Sequence, residues 1–289
     1  MDHLYKGMDK TVHFRILICD TKELCKEAIL RHQCYPTSGM LLSKALTIGA
    51  MMQGLEKDCN GITIKIKGDG PCGLILIDSS KKGTVRGYID NPGVDLIKKN
   101  QLDDIDAIGT GLIEVVKDYN DNIKEPFVSS SPLQTGDLAK DFALYYTLSE
   151  QTPTFLNLAC VIGDEKEVVK ACGGIMVQAL PNTPEEEIAE MEKRLKEMPS
   201  LTDLLLQGVS LSKIGNYIAP VYTVFQNAPL KFFCPCSKEN FARGIITLGK
   251  KEIQAIIQED GKAEVICHYC KKAYNFSKED LEELEKVAK

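Results

Sequence analysis

The chain has 289 residues, enough for two domains with a real core, and its 44% apolar content is an ordinary globular share. A net charge of −6 argues against a general nucleic-acid binder. No apolar run approaches the roughly 20 residues of a membrane span, and the polar opening Met1–Lys10 does not read as a signal peptide.

Val12, Phe14, Ile16 and Ile18 alternate as a strand does. Thr21 then stands where a helix cap belongs, with the helix running to about Arg31. A longer, mostly apolar helix follows over Ser38–Lys57, with Met40, Leu41, Ala45, Ile48 and Met52 on its buried side. Gly49, Ala50 and Gly54 on it leave room for another element to approach closely. A strand meander comes next. Ile62, Ile64 and Ile66 alternate with polar residues, Gly68-Asp69-Gly70-Pro71 turns, and Gly73–Asp78 and Thr84–Asp90 are strands separated by the Ser79–Gly83 turn. Gly68, Gly70 and Gly73 fit G-x-G-x-x-G, but that motif must open a helix to hold a dinucleotide, and a strand follows here. Ile108–Val116 and Phe127–Ser129 read as strands, and Asp137–Ser149 as a helix. Pro153–Ile162 and Glu167–Val177 are strands that meet at Gly163-Asp164. The fold class is therefore α+β. A domain over 1–180 is built on a mainly antiparallel sheet with helices. It contains no Ser-His-Asp order, no H-E-x-x-H and no phosphate loop, and the whole chain has four histidines.

Residues 181–230 change character. Thr183, Pro184 and Glu186 form a capping-box pattern before a helix whose thin apolar stripe is Ile188, Met191, Leu195 and Met198. Ser200 and Asp203 start a second helix through Leu204–Leu206, closed by Gly208. This stretch carries 4 Lys plus Arg against 7 Asp plus Glu. It is either a plain helical linker or a metastable one, ordered only while it has a surface to dock on.

Residues 231–289 hold two cysteine pairs, Cys234-Pro235-Cys236 and Cys267-His268-Tyr269-Cys270, with 30 residues between them. Glu264–Ile266 and Ala273–Phe276 form a hairpin that carries the second pair at its tip. Helices are expected from Ser237 to about Leu248, over Lys251–Gln258, and after the cap Ser277 and Asp280, with Leu281, Leu284 and Ala288 inward. Four thiolates satisfy tetrahedral Zn²⁺, so Cys234, Cys236, Cys267 and Cys270 are the expected ligands, with His268 a spacer. Fewer than 60 residues make a poor core, so the metal must contribute folding energy, and its removal should unfold the segment. A disulfide within C-x-C closes a small, strained ring, and strained disulfides are the labile ones. The site could be a stable staple or a redox trigger. Zinc ribbons that grip nucleic acid are basic, whereas this segment carries 11 Lys plus Arg against 10 Asp plus Glu.

The other seven cysteines, Cys19, Cys25, Cys34, Cys59, Cys72, Cys160 and Cys172, are scattered. The total of 11 is odd, so a disulfide framework cannot pair them all within one chain. Free, buried thiols imply a reducing cytoplasm.

Several stretches coincide with one family. They are Gly68-Asp69-Gly70-Pro71, Val85-Arg86-Gly87-Tyr88, Val115-Val116-Lys117-Asp118, Ser149-Glu150-Gln151-Thr152-Pro153, Gly173-Gly174 and Gln178-Ala179-Leu180-Pro181. The most specific is C-x-C followed by C-x-Y-C. Nearly end to end, the chain resembles the 33 kDa heat-shock protein family of bacterial redox-regulated holdase chaperones. The resemblance implies one zinc per chain, held by the four thiolates in a reduced, inactive form. It implies that oxidants pair Cys234 with Cys236 and Cys267 with Cys270, that zinc leaves, and that the linker loses order. Exposed apolar surface would then hold unfolding client proteins without ATP, and the active form would be a homodimer. Two departures are the seven additional thiols and Pro235 inside C-x-C. The alternatives are an enzyme in the first domain with a structural zinc tail, for which no catalytic motif stands, and a zinc-ribbon nucleic-acid module.

Overall fold

Residues 2–9, 13–119 and 125–288 are described by the computed structural model, so Val12 lies outside the described residues. The chain opens with β1 (His3–Asp9), β2 (Phe14–Asp20), α1 (Lys22–His32), α2 (Pro36–Leu55), β3 (Cys59–Gly68), β4 (Leu74–Ser80) and β5 (Thr84–Ile89). A short hairpin, β6 (Ile97–Lys98) with β7 (Gln101–Leu102), and α3 (Asp104–Ile108) lead to β8 (Gly111–Tyr119), β9 (Phe127–Leu133), α4 (Leu138–Ser149), β10 (Thr154–Ile162) and β11 (Val169–Ala179). Next come α5 (Glu185–Glu197), α6 (Leu201–Leu206), α7 (Leu211–Ile218), β12 (Tyr222–Pro229) and β13 (Lys231–Phe232). The chain closes with α8 (Lys238–Ile246), α9 (Lys250–Glu259), β14 (Ala263–Ile266), β15 (Ala273–Phe276) and α10 (Lys278–Val287). Two compact units result, Met1–Phe233 and Cys234–Lys289. Among the described residues no helix is long and apolar enough to cross a membrane.

Besides the β6–β7 hairpin, the first unit holds two larger sheets, ordered β10-β11-β2-β1-β12 and β13-β5-β4-β3-β8-β9. All their pairings are antiparallel except the short β13–β5 contact. Helix α2 is buried between the sheets. Its Gly49 lies so close to β4 that an added Cβ would come 2.7 Å from Ile77, and its Gly54 opposes Leu4 of β1 in the same way. The five apolar residues assigned to one buried side are all buried, but so are Leu42, Leu46, Thr47 and Met51. The single-face reading is corrected: a helix between two sheets needs apolar residues all round. It also begins earlier than Ser38, with Pro36 in the first turn, and ends at Leu55, where Lys6 Nζ donates to the carbonyls of Gly54 and Leu55 at 2.8 and 3.2 Å.

The outer face of the first sheet presents Phe14, Ile16, Ile18, Ile175 and Val177, and α5–α7 cover it with Met191, Leu195, Leu201, Leu204, Ile214 and Ile218. Residues 181–230, read above as a linker, thus belong to the first unit, and β12 pairs with β1. The second unit starts at Cys234, not 231, because Lys231 and Phe232 pair with Thr84 and Val85.

Two caps differ from expectation. The Thr21 hydroxyl bonds Thr47 Oγ1 at 2.7 Å instead of capping α1, and Asp2 accepts from the amides of Glu23 and Leu24 at 3.1 and 2.6 Å. The Thr183 hydroxyl donates to the carbonyls of Leu180 and His13, so no capping box forms and α5 starts after Pro184. Ile108 ends α3 instead of opening a strand. The Lys117 and Glu150 stretches meet in the fold. Lys117, 4% exposed, reaches Glu56 at 2.9 Å and Glu150 at 2.7 Å, and the Tyr145 hydroxyl donates to Glu150 at 2.8 Å. A buried ammonium satisfied by two carboxylates explains why Lys117 tolerates burial.

Candidate metal centre

The second unit has a small core of Ile245, Ile253, Tyr274, Phe276, Leu281 and Ala288. Ser277 and Asp280 form the expected capping box on α10, and Leu281 is fully buried beneath it. Ser237 caps α8 by accepting from the Asn240 amide at 3.2 Å, and so fixes the chain immediately after Cys236. Cys267 and Cys270 lie in the turn joining β14 to β15. That turn is closed by Cys267 N–H to Lys272 O at 3.0 Å and Lys271 N–H to Cys267 O at 2.8 Å, with Lys271 in the left-handed region at φ 57°.

These local structures bring all four predicted sulfurs together. The Sγ atoms of Cys234, Cys236, Cys267 and Cys270 lie within 4.8 Å of one another. Two contacts bridge the pairs, Cys234 Sγ to Cys267 Sγ at 3.7 Å and Cys236 Sγ to Cys270 Sγ at 3.3 Å. A cation ligated tetrahedrally at ~2.3 Å sets its sulfurs ~3.8 Å apart, so the four-cysteine cluster can hold a metal ion. His268 is not part of the cluster.

Burial and nearby amides pull the sulfurs in opposite directions, and burial wins at Cys267 and Cys270. Backbone amides of Tyr269 and Cys270 point at Cys267 Sγ, and that of Lys272 at Cys270 Sγ. Burial pushes the Cys270 thiol up to about 12 despite that amide. Burial also works to raise Cys236, but hydrogen bonds from Tyr274 and the neighbouring thiols outweigh it and bring Cys236 down to about 7. One thiolate forms readily; further anions so close together need a cation among them.

Tyr274 was not singled out by the sequence reading. Its hydroxyl donates to Cys236 O at 2.8 Å and lies 3.2 Å from Cys236 Sγ, fastening C-x-C to the hairpin. The signal available was its place on β15, inward like Phe276 two residues on. Of the other cysteines, Cys19, Cys25, Cys59, Cys72 and Cys172 are buried, and Cys34 and Cys160 are partly exposed.

The sequence model of the family described as Hsp33 protein matches residues 2–277. The 33 kDa chaperonin of Geobacillus kaustophilus is 37% identical over 293 residues, covering 100% of this chain and 99% of the relative. That of Bacillus subtilis is 35% identical, with 98% of each covered. The crystal structure of the 33 kDa chaperonin from Thermotoga maritima superposes with a TM-score of 0.90 at 33% identity, covering 98% of this chain and 97% of that one.

Proposed function

Because the chain belongs to the Hsp33 family of chaperones, we propose that it is a redox-regulated, ATP-independent holdase, not an enzyme, that works in the cytoplasm. In the reduced form Cys234, Cys236, Cys267 and Cys270 hold one Zn²⁺ per chain. The bound ion supplies a cross-link between the C-x-C segment and the β14–β15 hairpin, compensating for a core of six buried residues.

Oxidation joins Cys234 to Cys236 and Cys267 to Cys270. Each bond gives two electrons to the oxidant, and with hydrogen peroxide each consumes one peroxide and yields two waters. Disulfide sulfurs carry no charge to retain the cation. Structural zinc contributes about 10–16 kcal/mol in small peptides, against about 5–15 kcal/mol for the stability of a whole domain. The second unit therefore unfolds. Residues 181–230 act as the metastable linker. When α5–α7 lift away, Ile16, Ile18, Ile175 and Val177 join the helices' own inner faces as surface for unfolded clients. The oxidised protein dimerises through such surface.

The gathering of four sulfurs within 4.8 Å in a unit with so small a core is the observation that carries this reading. Peroxide titration of the reduced, zinc-loaded chain tests it, with zinc release and light scattering from an unfolding client followed together. One zinc per chain should be released over the same oxidant range in which aggregation is suppressed. Fully oxidised, zinc-free protein that leaves aggregation unchanged overturns it.

A further inference from the structure

Three of the remaining cysteines meet inside the first unit. Gly173 and Gly174 let β11 lie close to β2 and α2: a Cβ on Gly173 would collide with the Cys19 carbonyl, and one on Gly174 would come 2.7 Å from the Met51 methyl. This approach seats Cys172 at the start of α1, where its carbonyl accepts from the Thr21 amide at 2.9 Å. Cys172 Sγ lies 3.5 Å from Cys25 Sγ and 3.7 Å from Thr47 Oγ1. Cys160 is its direct register partner on β10, so the two side chains leave the sheet on the same face. Cys25 and Cys172 are 0% and 1% exposed, whereas Cys160 is partly exposed.

Buried cysteines commonly serve as small apolar filler. Here the Cys25 and Cys172 sulfurs are in contact, and Cys160, directly opposite Cys172 in the ladder, is the partly exposed residue of the three. We infer that Cys160, Cys172 and Cys25 form a second oxidation site, in which a hydroperoxide enters at Cys160 and the product is a Cys25–Cys172 disulfide that ties α1 to β11. This site does not rest on the reading of the C-terminal cysteines.

The neighbouring Cys172 and burial hold the Cys160 thiol above its usual range, so its proton leaves to solvent only as its sulfur attacks the O–O bond. That step gives a sulfenic acid and releases one molecule of water (an alcohol, if the oxidant is an organic hydroperoxide). The Cys172 sulfur then attacks the Cys160 sulfur, and hydroxide leaves and is protonated. Finally the Cys25 sulfur attacks Cys172 and expels Cys160 as thiolate, which takes up a proton. The net change is two thiols and one hydroperoxide converted to one disulfide, one water or alcohol, and one further water. Cys172 lies between the other two, its thiol donating to Cys25 Sγ at 3.5 Å and its backbone paired with Cys160, which suits it to the central role. Closing the Cys25–Cys172 gap to the ~2.05 Å of a disulfide needs only ~1.5 Å of sulfur movement. The bond spans 147 positions of sequence, so it constrains the unfolded chain strongly and raises the melting temperature of the first unit.

The full-length reduced, zinc-loaded chain is treated with hydrogen peroxide, alkylated under denaturing conditions and mapped as non-reduced peptides. A peptide joining Cys25 to Cys172 is expected. Cys160→Ser should slow its formation at least tenfold, and Cys25→Ser should abolish it. If Cys172 is still fully alkylated at doses that oxidise Cys160, the site is overturned. If Cys172 is linked to Cys160 alone, the transfer to Cys25 is overturned. An unchanged rate in Cys160→Ser overturns the entry role. The C-terminal cysteines are mapped in the same digest, so the two sites succeed or fail separately.

Discussion

The Tyr274 hydroxyl donates to the carbonyl of Cys236 at 2.8 Å and lies 3.2 Å from that residue's own sulfur. One side chain thus fixes both the backbone and the thiol of C-x-C. Groups that orient metal ligands typically cost about 10–100-fold in affinity when removed. Tyr274→Phe keeps the ring against Phe241, 5.1 Å away between centroids, and deletes the donor. Zinc affinity, measured by chelator competition under reducing conditions, should fall about tenfold. Unchanged affinity would show that the hydroxyl orients nothing that matters to the ion.

Removing the metal without oxidant separates zinc loss from disulfide formation. A strong chelator in excess reductant should abolish helical circular dichroism from α8–α10 and expose their amides to rapid hydrogen exchange. The interior amides of β2 and β11 should stay protected. Protection that persists in residues 238–287 after complete chelation would mean that the six-residue core suffices alone.

Ile214 is fully buried where α7 meets the outer face of the first sheet. Ile214→Ala should weaken that docking by about 2–4 kcal/mol. The reduced variant should bind more of a hydrophobic dye and acquire part of the aggregation-suppressing activity while retaining its zinc. Dye binding equal to that of the unmodified chain would indicate that the α5–α7 layer is held by other contacts.

Asp2 is 3% exposed and serves as the side-chain cap of α1. Burial raises its carboxyl to about 6, although the Leu24 and Glu23 amides pull the other way. A folded-state value above the unfolded one means that protonation favours the folded state. The added stability is therefore complete below about 3.8 and lost as pH rises through about 6. Asp2→Asn removes the titration and keeps an acceptor. The stability of the unmodified chain relative to the variant should be on the order of 2 kcal/mol greater at pH 4 than at pH 7. Urea denaturation at the two values measures the difference, and parallel curves would contradict it.

The metal centre was legible because ligand type and spacing are local: C-x-C, C-x-x-C and a flanking hairpin suffice to place four sulfurs. Tyr274 was not, since its role depends on which carbonyl lies across the hairpin. The strand β1 escaped notice because Lys6, Gly7 and Asp9 occupy inward positions, which hides the period-two signal. Its partner β12 has no fully buried residue and therefore little alternation to read. The stripe Leu211, Ile214, Gly215 and Ile218 does have helical spacing, but it spans only two turns and includes a glycine. Thr21 and Thr183 look like caps by local rule, yet tertiary partners claim both hydroxyls.

With no face of its own in water, α2 makes each sheet the lining of the other. Neither can separate without opening both, so the two sheets and α2 should melt as one cooperative block in calorimetry. The α5–α7 layer turns its outer side to solvent, and under the proposed mechanism it opens at lower free energy than the block beneath it. On that proposal, thermodynamic independence of the cover from the body would let the chain shed the one and keep the other.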